Sequence, residues 1–194
     1  MRRTVLLLAL LALVAAGCGS SPKTGTDSAQ EGSAVADTEG IYLDINNLKY
    51  QIEMSRYMNP QDVEDAEYLK GLPDGTDLDT GGKATWFGVW VRVQNVTSEP
   101  HPVADNWEIR DTLGKIYRPV PLDRSVNILT LDTSAVVPPH TVLPLSSTAA
   151  GQGPIQGSLL LFKITNDSLQ NRPLELRFTN GQQGGGTGVY DLDV

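Results

Sequence analysis

The sequence predicts an all-β domain folded as a two-sheet antiparallel β-sandwich of about seven to nine strands, with a small barrel as the alternative. Several short segments alternate apolar and polar residues, which is the period of a strand with one buried face. Proline and glycine, 12 and 19 residues respectively, supply turns between these segments. Helical periodicity interrupts the strands at one place, so the pattern does not fit alternating strands and helices.

Two strongly patterned strands come first in the domain. In residues 48–54 the apolar positions Leu48, Tyr50, Ile52 and Met54 share one face. Residues 86–96 form the second strand. One of its faces carries Phe87, Val89, Val91 and Val93, and the opposite face carries Trp86, Gly88, Trp90, Arg92 and Gln94.

One short helix is predicted near residues 60–70, between these two strands. Asn59 is the expected N-cap, and Pro60 suits the first helical position because its missing N–H has no partner there. Gly71 is expected to end the helix ahead of Pro73.

The remaining strands follow from shorter patterned segments separated by turn residues. Trp107 and Ile109 alternate with charged residues and lead through the turn 111–115 into a hairpin partner. The predicted segments are 107–110, 116–117, 126–131, 141–145, 158–165, 174–178 and 189–194, the last following a glycine-rich turn over 181–188.

The amino terminus has the order of a secretory signal peptide, predicted over residues 1–17. Arg2 and Arg3 precede the apolar segment 5–16, which is followed by small residues. As a helix these twelve apolar residues would reach about 18 Å, short of the roughly 30 Å hydrocarbon layer, so a permanent membrane span is not expected.

Residues 15–18, Ala-Ala-Gly-Cys, resemble the bacterial lipobox, in which the cysteine is acylated before cleavage. Cys18 is the one cysteine of the chain and has no disulfide partner. We therefore expect a lipid anchor at Cys18 on the extracytoplasmic face of the cell membrane. The alternative is an incidental cysteine inside an ordinary signal peptide. A polar, Gly- and Ser-rich flexible tether is predicted over 18–39, and the domain over 40–194.

Part of the domain resembles a known class of secreted proteins. The order is Phe-Gly-Val-Trp-Val-Arg-Val-Gln-Asn over 87–95, Glu99-Pro100, Trp107 to Asp111, Gly114-Lys115 and Tyr117. It resembles bacterial lipoproteins with an immunoglobulin-like, telokin-like domain, and the segments 59–73 and 159–176 resemble an actinobacterial subgroup. The resemblance implies an immunoglobulin-like sandwich without an assigned activity; a core disulfide is excluded by the single cysteine.

Charge argues against nucleic acid as a partner. The formal net charge is −8, and without Arg2 and Arg3 the 15 basic residues become 13 against 23 acidic ones, or −10. The basic residues are scattered singly, whereas a phosphate backbone is bound by clustered Lys and Arg.

Two groups of residues are candidates for binding. Asp74, Asp77 and Asp79 offer oxygen ligands for calcium, but a solvated acidic loop is the better interpretation. Trp86 and Trp90, with Arg92, share the face opposite the valines and form a candidate ligand platform. The alternative is that a helix or the second sheet covers that face.

No catalytic constellation is predicted, and no cofactor. His101 and His140 are both flanked by proline and are expected in loops as solvated side chains. The sequence has no Gly-x-Ser-x-Gly motif, and its cysteine is assigned to the anchor. We therefore expect a membrane-anchored, non-enzymatic domain that binds an envelope protein or a small ligand. The alternative is a metal-dependent extracytoplasmic enzyme or calcium-binding protein that uses the loop 74–79.

Overall fold

The computed structural model describes residues 33–181 and 185–192. The predicted signal peptide and Cys18 lie outside the described residues, as does the predicted tether up to residue 32. The described residues form short helical segments at Val63–Tyr68 (α1), Ala149–Gln152 (α2) and Asn166–Gln170, the last of which is a 3₁₀ helix. The strands are β1 (Ser33–Ala36), β2 (Tyr42–Ile45), β3 (Leu48–Met58), β4 (Ala84–Asn95), β5 (His101–Pro102), β6 (Asn106–Arg110), β7 (Ile116–Tyr117), β8 (Val136–Val137), β9 (Val142–Leu143), β10 (Ser158–Thr165), β11 (Leu174–Thr179) and β12 (Thr187–Leu192).

Two sheets enclose the main core. Sheet 1 has the strand order β1-β12-β11-β6-β7, and sheet 2 has the order β10-β4-β3-β2, with β9 added to β4. Strands β5 and β8 form a separate pair. Among the described strands every pair is antiparallel except β1 with β12. The predicted all-β sandwich is confirmed, and the small barrel is wrong.

Aromatic side chains link the two sheets across the core. The Tyr50 ring of sheet 2 lies 5.9 Å from the Trp107 ring and 4.6 Å from the Phe178 ring of sheet 1, measured between centroids. Its hydroxyl accepts the N–H of Ala104 at 2.8 Å, so its one polar atom is satisfied inside the core. The valine face predicted for β4 is confirmed, because Phe87, Val89, Val91 and Val93 all lie in this core.

A β-bulge changes the faces of β3. The register with β4 shifts between Ile52 and Met54. Leu48, Tyr50 and Ile52 point into the core as predicted, but Met54 is 38% exposed and Ser55 is buried. The prediction for Met54 is wrong because the extra residue of a bulge reverses the alternation beyond it.

The helix α1 is shorter than predicted and has a different cap. Asp62, rather than Asn59, is the N-cap, and its carboxylate accepts the N–H groups of Glu64 and Asp65. Asn59 instead accepts the N–H of Gln61 at 3.0 Å. Both residue types are good caps, so composition alone does not decide between them.

Most of the predicted strand 126–131 is irregular, with turns at 126 and 128–129, and only Thr130 forms a bridge, with Leu159. Val126 and Ile128 are 55% and 66% exposed, while Asn127 between them is buried. The Asn127 amide donates to the carbonyl oxygens of Tyr68 and Lys70, both at 3.0 Å. Local side-chain hydrogen bonds, such as that from the Leu129 N–H to Asn127 Oδ1, stabilise turns at the expense of a ladder.

Strand β1 lies before residue 40, inside the segment 18–39 predicted as the tether. Strand β1 pairs with β12 in register from Ser33 with Thr187 to Ala36 with Tyr190. Ala36 is buried in the main core. The small residues of β1 carry no strong strand pattern, and the strand is formed through pairing with a segment some 150 positions later in the chain.

Candidate functional site

The acidic loop does not bring its three aspartates together. Among the described residues no group of three or more His, Cys, Asp or Glu side chains is arranged to hold a metal ion. Asp77 Oδ1 accepts the N–H of Asp79 at 2.9 Å, and Asp79 Oδ1 accepts the N–H of Gly81 at 2.8 Å. These carboxylates, which with Asp74 were the candidate calcium ligands, stabilise successive turns.

The same loop covers Trp86. The indole N–H of Trp86 donates to the carbonyl oxygen of Leu78 at 3.1 Å. Lys163 donates to the carbonyl oxygen of Asp77 at 3.2 Å, and its ammonium group lies 4.9 Å from the Trp86 ring centroid. The loop therefore acts as a lid over an aromatic side chain.

Trp86 and Trp90 do not form an exposed platform. Each is 1% exposed, and both belong to a second core on the outer face of sheet 2. Arg92 pairs with Glu53 at 3.3 Å instead of facing a ligand. The candidate platform is wrong, and the favoured alternative of a covered face is correct: α1 and its flanking loops cover it, because burial of large apolar rings is strongly favourable. The residues of this second core are Met58, Leu69, Trp86, Trp90, Leu159 and Leu161.

The two histidines differ in their local structure. His101 begins β5, is half-buried, and its Nε2 lies 3.0 Å from the Thr97 hydroxyl. The expectation that it is a solvated loop residue is wrong. His140 is exposed and lies in a turn with a positive φ of 53°.

A cleft of about 430 Å³ opens where the edges of the two sheets meet. We call it the lateral cleft. Strand β10 is the edge strand of sheet 2, and two segments of the preceding chain cover that edge. The first strap, residues 118–124, and the second strap, residues 129–134, leave the cleft between them. Its remaining wall comes from residues 105–107 and 159–161.

Backbone hydrogen bonds hold both straps against β10. Val120 donates to the carbonyl oxygen of Leu161 at 2.7 Å, and Leu131 donates to that of Leu159 at 2.9 Å. Because Pro119 and Pro121 have no N–H, Val120 is the one backbone donor among these three residues. On the opposite side, β7 pairs with the carboxyl half of β6 only, and Asn106 and Trp107 line the cleft.

Most charges of the cleft are already paired. Arg124 of the first strap forms an ion pair with Asp132 of the second strap. Asp132 also accepts from the N–H and the hydroxyl of Ser134, at 3.0 and 2.6 Å. Asp105 accepts the N–H of Gly181 at 3.2 Å. The Arg124–Asp132 pair thus joins the two straps, and Asp105 joins the chain before β6 to the loop after β11.

Arg118 and the Thr130 hydroxyl are polar groups of the cleft that have no partner among the described residues. Arg118 lines the cleft, is exposed, and makes no hydrogen bond or ion pair with the described chain. The hydroxyl of Thr130 is buried and has no hydrogen-bond partner there. A buried hydroxyl without a partner is unfavourable, and a water molecule or a ligand in the cleft would satisfy it.

A second polar cluster lies at the opposite end of β10 and is closed. The hydroxyl of Tyr117 lies 2.6 Å from both Thr165 Oγ1 and Ser168 Oγ. Burial raises the pKa of Tyr117, but the hydrogen bonds with Ser168, Thr165 and Lys115 outweigh it, and the pKa lies below its ordinary value. Ser168 is 1% exposed. Its hydroxyl is already engaged by Tyr117 and Asp111, so we assign this cluster to structure.

Sequence reasoning missed the lateral cleft. Its walls come from segments that are distant in the sequence, and the second strap was predicted in part as a strand. The Arg-Pro-Val-Pro segment from Arg118 to Pro121 was the available signal, because alternate prolines disfavour a central strand. None of the candidate residues Asp74, Asp77, Asp79, Trp86, Trp90 and Arg92 lines the cleft.

Solved structures share this fold. The chain is similar to the yjhA protein of Bacillus subtilis, with a TM-score of 0.53 and 10% identity over 81% of this chain and 100% of that chain. A functionally unknown protein of Listeria monocytogenes matches with a TM-score of 0.48 and 9% identity, over 82% and 84% of the two chains. An uncharacterized β-sandwich protein of Clostridium difficile matches with a TM-score of 0.43 and 12% identity, over 89% and 100%. These likenesses concern the fold alone.

Sequence comparison adds no family. No family profile matches the chain, and no curated protein matches it. In the part of the chain that the structure describes, no helix has the length and apolar character to cross a membrane. The comparisons support a β-sandwich fold.

Proposed function

We propose that this chain is a lipid-anchored extracytoplasmic protein whose β-sandwich binds a ligand in the lateral cleft without catalysing a reaction. The observation that carries the proposal is the pair of unpartnered polar groups, Arg118 and Thr130, in a cleft of about 430 Å³. That volume lies in the range of small-ligand sites, which are mostly apolar with a few polar groups that fix orientation.

The anchor belongs to the proposal through the sequence. Cys18 follows Ala15, Ala16 and Gly17, and no other cysteine occurs in the chain. Two acyl chains on one cysteine hold a protein at a membrane durably, whereas one chain holds it only marginally. In finer detail, we propose membership of the actinobacterial-type lipoproteins with an immunoglobulin-like, telokin-like domain.

The position of β1 is relevant to how the cleft would face the membrane. Ser33 pairs with Thr187, Thr187 with Thr179, and Thr179 with Asn106, which lines the cleft. Three strand spacings of roughly 4.8 Å place Asn106 about 14 Å from Ser33. The chain from the proposed anchor thus enters the domain at the same end of sheet 1 as the cleft, which favours a ligand from the envelope.

A binding role fits the chemistry of the cleft better than a catalytic one. Among the described residues its lining includes no His, Cys, Lys or Tyr. Asp105 and Asp132 accept hydrogen bonds from neighbouring groups. A nucleophile with an adjacent base is the usual signature of covalent catalysis. The Ser134 hydroxyl does donate to Asp132, but that carboxylate is also bound by Arg124 and by the Ser134 N–H, so it is already engaged in structural contacts.

Mass spectrometry of the native protein tests the anchor. We expect a mature chain that begins at Cys18 and carries acyl chains on it, and incorporation of an alkynyl palmitate label that the Cys18→Ser variant abolishes. Ser21→Ala is the matched control and should keep the label. An unacylated chain that starts beyond residue 18, or one that retains Met1, contradicts the anchor.

Site-specific photocrosslinking in intact cells tests the cleft. A benzophenone amino acid replaces Ser134 at the cleft, and Lys49 on the β2–β3 edge is the control position. We expect an adduct at position 134 that disappears when Thr133→Trp fills the cleft. An adduct that survives this filling, or that forms equally at position 49, contradicts binding in the cleft.

A further inference from the structure

We infer that the lateral cleft takes a monocarboxylate attached to an apolar group, with the carboxylate bound by Arg118 and the Thr130 hydroxyl. The inference rests on the proposed function, because it specifies the ligand of the same cleft. It follows from the partners of the arginines, the buried hydroxyl, the apolar wall and the charges of the rim.

Arg118 differs from the other arginines of the described chain. Arg118 has no partner, although a guanidinium group forms paired hydrogen bonds with a carboxylate wherever geometry permits. Arg172 donates to the Tyr57 hydroxyl and the Leu169 carbonyl oxygen. All others pair with a carboxylate: Arg56 with Asp65, Arg92 with Glu53, Arg110 with Glu108, Arg124 with Asp132 and Arg177 with Glu175.

Thr130 supplies the second polar contact. Its residue forms a parallel bridge with Leu159, which fixes the backbone of the second strap against β10. The Thr130 hydroxyl is nevertheless buried without a partner among the described residues. A hydroxyl can donate to a carboxylate oxygen, and a charged acceptor gives a stronger hydrogen bond than a neutral one.

The floor of the cleft is apolar. Trp107, Leu131 and Leu160 line it and are almost completely buried in the main core. Val120 and Leu122 add half-buried apolar surface from the first strap. A ligand whose carboxylate lies at Arg118 therefore places its adjoining part against apolar side chains, where burial favours an aliphatic group.

The rim favours one negative charge over two. Asp105 and Asp132 line the same cleft and add negative charge near the ligand. Arg124 offsets Asp132 through their ion pair, which leaves Arg118 as the unpaired cation of the lining. A phosphate dianion would be repelled by these carboxylates, whereas a single carboxylate matches one guanidinium.

Titration of the full-length, ¹⁵N-labelled protein in detergent micelles tests the inference. The probes are the tripeptide Ac-Ala-Ala-Leu with a free carboxylate, the same tripeptide as its amide, and 4-methylpentanoate. We expect amide shifts of residues 105–107 and 129–134 with at least one carboxylate probe. The tripeptide amide should bind at least about tenfold more weakly than the free tripeptide.

Three variants separate the carboxylate contact from general charge. Arg118→Gln should weaken binding of the carboxylate by at least about tenfold, and Thr130→Val by about threefold to tenfold. Lys83→Gln is the matched control: Lys83 is exposed, lies outside the cleft, and its side chain has no ion-pair partner among the described residues. The affinity of the Lys83→Gln variant for the carboxylate probes should stay within about twofold of that of the unmodified protein, because a distant exposed charge is screened.

The two carboxylate probes distinguish two sources of the ligand. Tighter binding of the tripeptide supports a peptide carboxyl terminus, and tighter binding of 4-methylpentanoate supports a small organic acid. Equal binding of the tripeptide amide, no shift with either carboxylate, or an Arg118→Gln variant that binds unchanged overturns the inference. If the adduct at position 134 still forms and Thr133→Trp still abolishes it, the proposed ligand binding in the cleft is supported even though the carboxylate inference fails.

Discussion

The Tyr117 hydroxyl lies 2.6 Å from Ser168 Oγ and ties strand β7 to the 3₁₀ helix that follows β10. The Ser168 hydroxyl also hydrogen-bonds to the Asp111 carboxylate, whose oxygen accepts the N–H groups of Leu113 and Lys115. One phenol thus connects the β6–β7 hairpin with the chain leaving sheet 2. A buried polar network of this kind is stabilising only while every member keeps its partner.

Tyr117→Phe should lower the free energy of unfolding by about 1–3 kcal/mol, because it leaves the buried hydroxyl of Ser168 with one partner fewer. Urea denaturation followed by circular dichroism measures the change. Tyr42→Phe is the control, since Tyr42 is exposed and its hydroxyl has no hydrogen-bond partner among the described residues. Equal effects of both substitutions would contradict a stabilising network at Tyr117.

The ion pair between Arg56 and Asp65 should make stability fall in acid. Asp65 accepts hydrogen bonds from the Arg56 guanidinium and from the N–H of Asn59. Burial raises the pKa of Asp65, but these bonds and the Arg56 charge outweigh it, and the pKa lies below its ordinary value. Folding therefore favours the ionised form. The contribution of the ionised Asp65 to the free energy of unfolding is complete above the pKa of the unfolded state, about 4. It is lost as the pH falls through the lower pKa of the folded state.

Asp65→Asn should therefore be destabilised at pH 7, and its difference from the unmodified protein should shrink below about pH 4. Unfolding free energies measured between pH 3 and pH 7 give both curves. Asp44→Asn breaks an exposed pair with Lys49 and should cost no more than about 1 kcal/mol at any of these pH values. A constant difference between Asp65→Asn and the unmodified protein would contradict the linkage.

Gly188 has a packing role that its sequence context hides. A Cβ atom at this position of β12 would overlap the ring of Phe178, its partner in β11. Gly188→Ala should destabilise the protein by about 1–3 kcal/mol, the usual cost of overpacking a core. Gly181→Ala is the control, because a Cβ there would meet its nearest atom, Asp105 Oδ2, at 3.8 Å. Thermal unfolding that ranks the two variants equally would contradict this role.

Regular alternation made parts of the fold predictable from the sequence. The limits of β10, Ser158–Thr165, were predicted as observed, and both faces of β4 were separated correctly. Strand β1 was missed because Ser-Ala-Val-Ala has no strong pattern and depends on pairing with β12. The segment 126–131 was overpredicted because Val126 and Ile128 point to solvent on either side of the buried Asn127.

The candidate site depended on properties that no local pattern contains. Whether an arginine lacks a partner depends on the tertiary positions of the carboxylates near it. Asp105 and Asp132 line the same cleft as Arg118, and neither pairs with it. The aromatic platform failed for a related reason. Trp86 and Trp90 were assigned to the correct face, but the cover supplied by α1 and the acidic loop comes from tertiary packing.

The acidic loop should control solvent access to Trp86. Trp86, Trp90 and Trp107 are all buried, so fluorescence should be blue-shifted and weakly quenched by iodide. Lys163→Ala removes both the hydrogen bond to the Asp77 carbonyl oxygen and the cation above the Trp86 ring. It should increase iodide quenching, because the loop loses its contact with sheet 2. Lys49→Ala removes a lysine at an exposed ion pair and should leave quenching unchanged. Strong quenching of the unmodified protein would show that the loop does not cover Trp86.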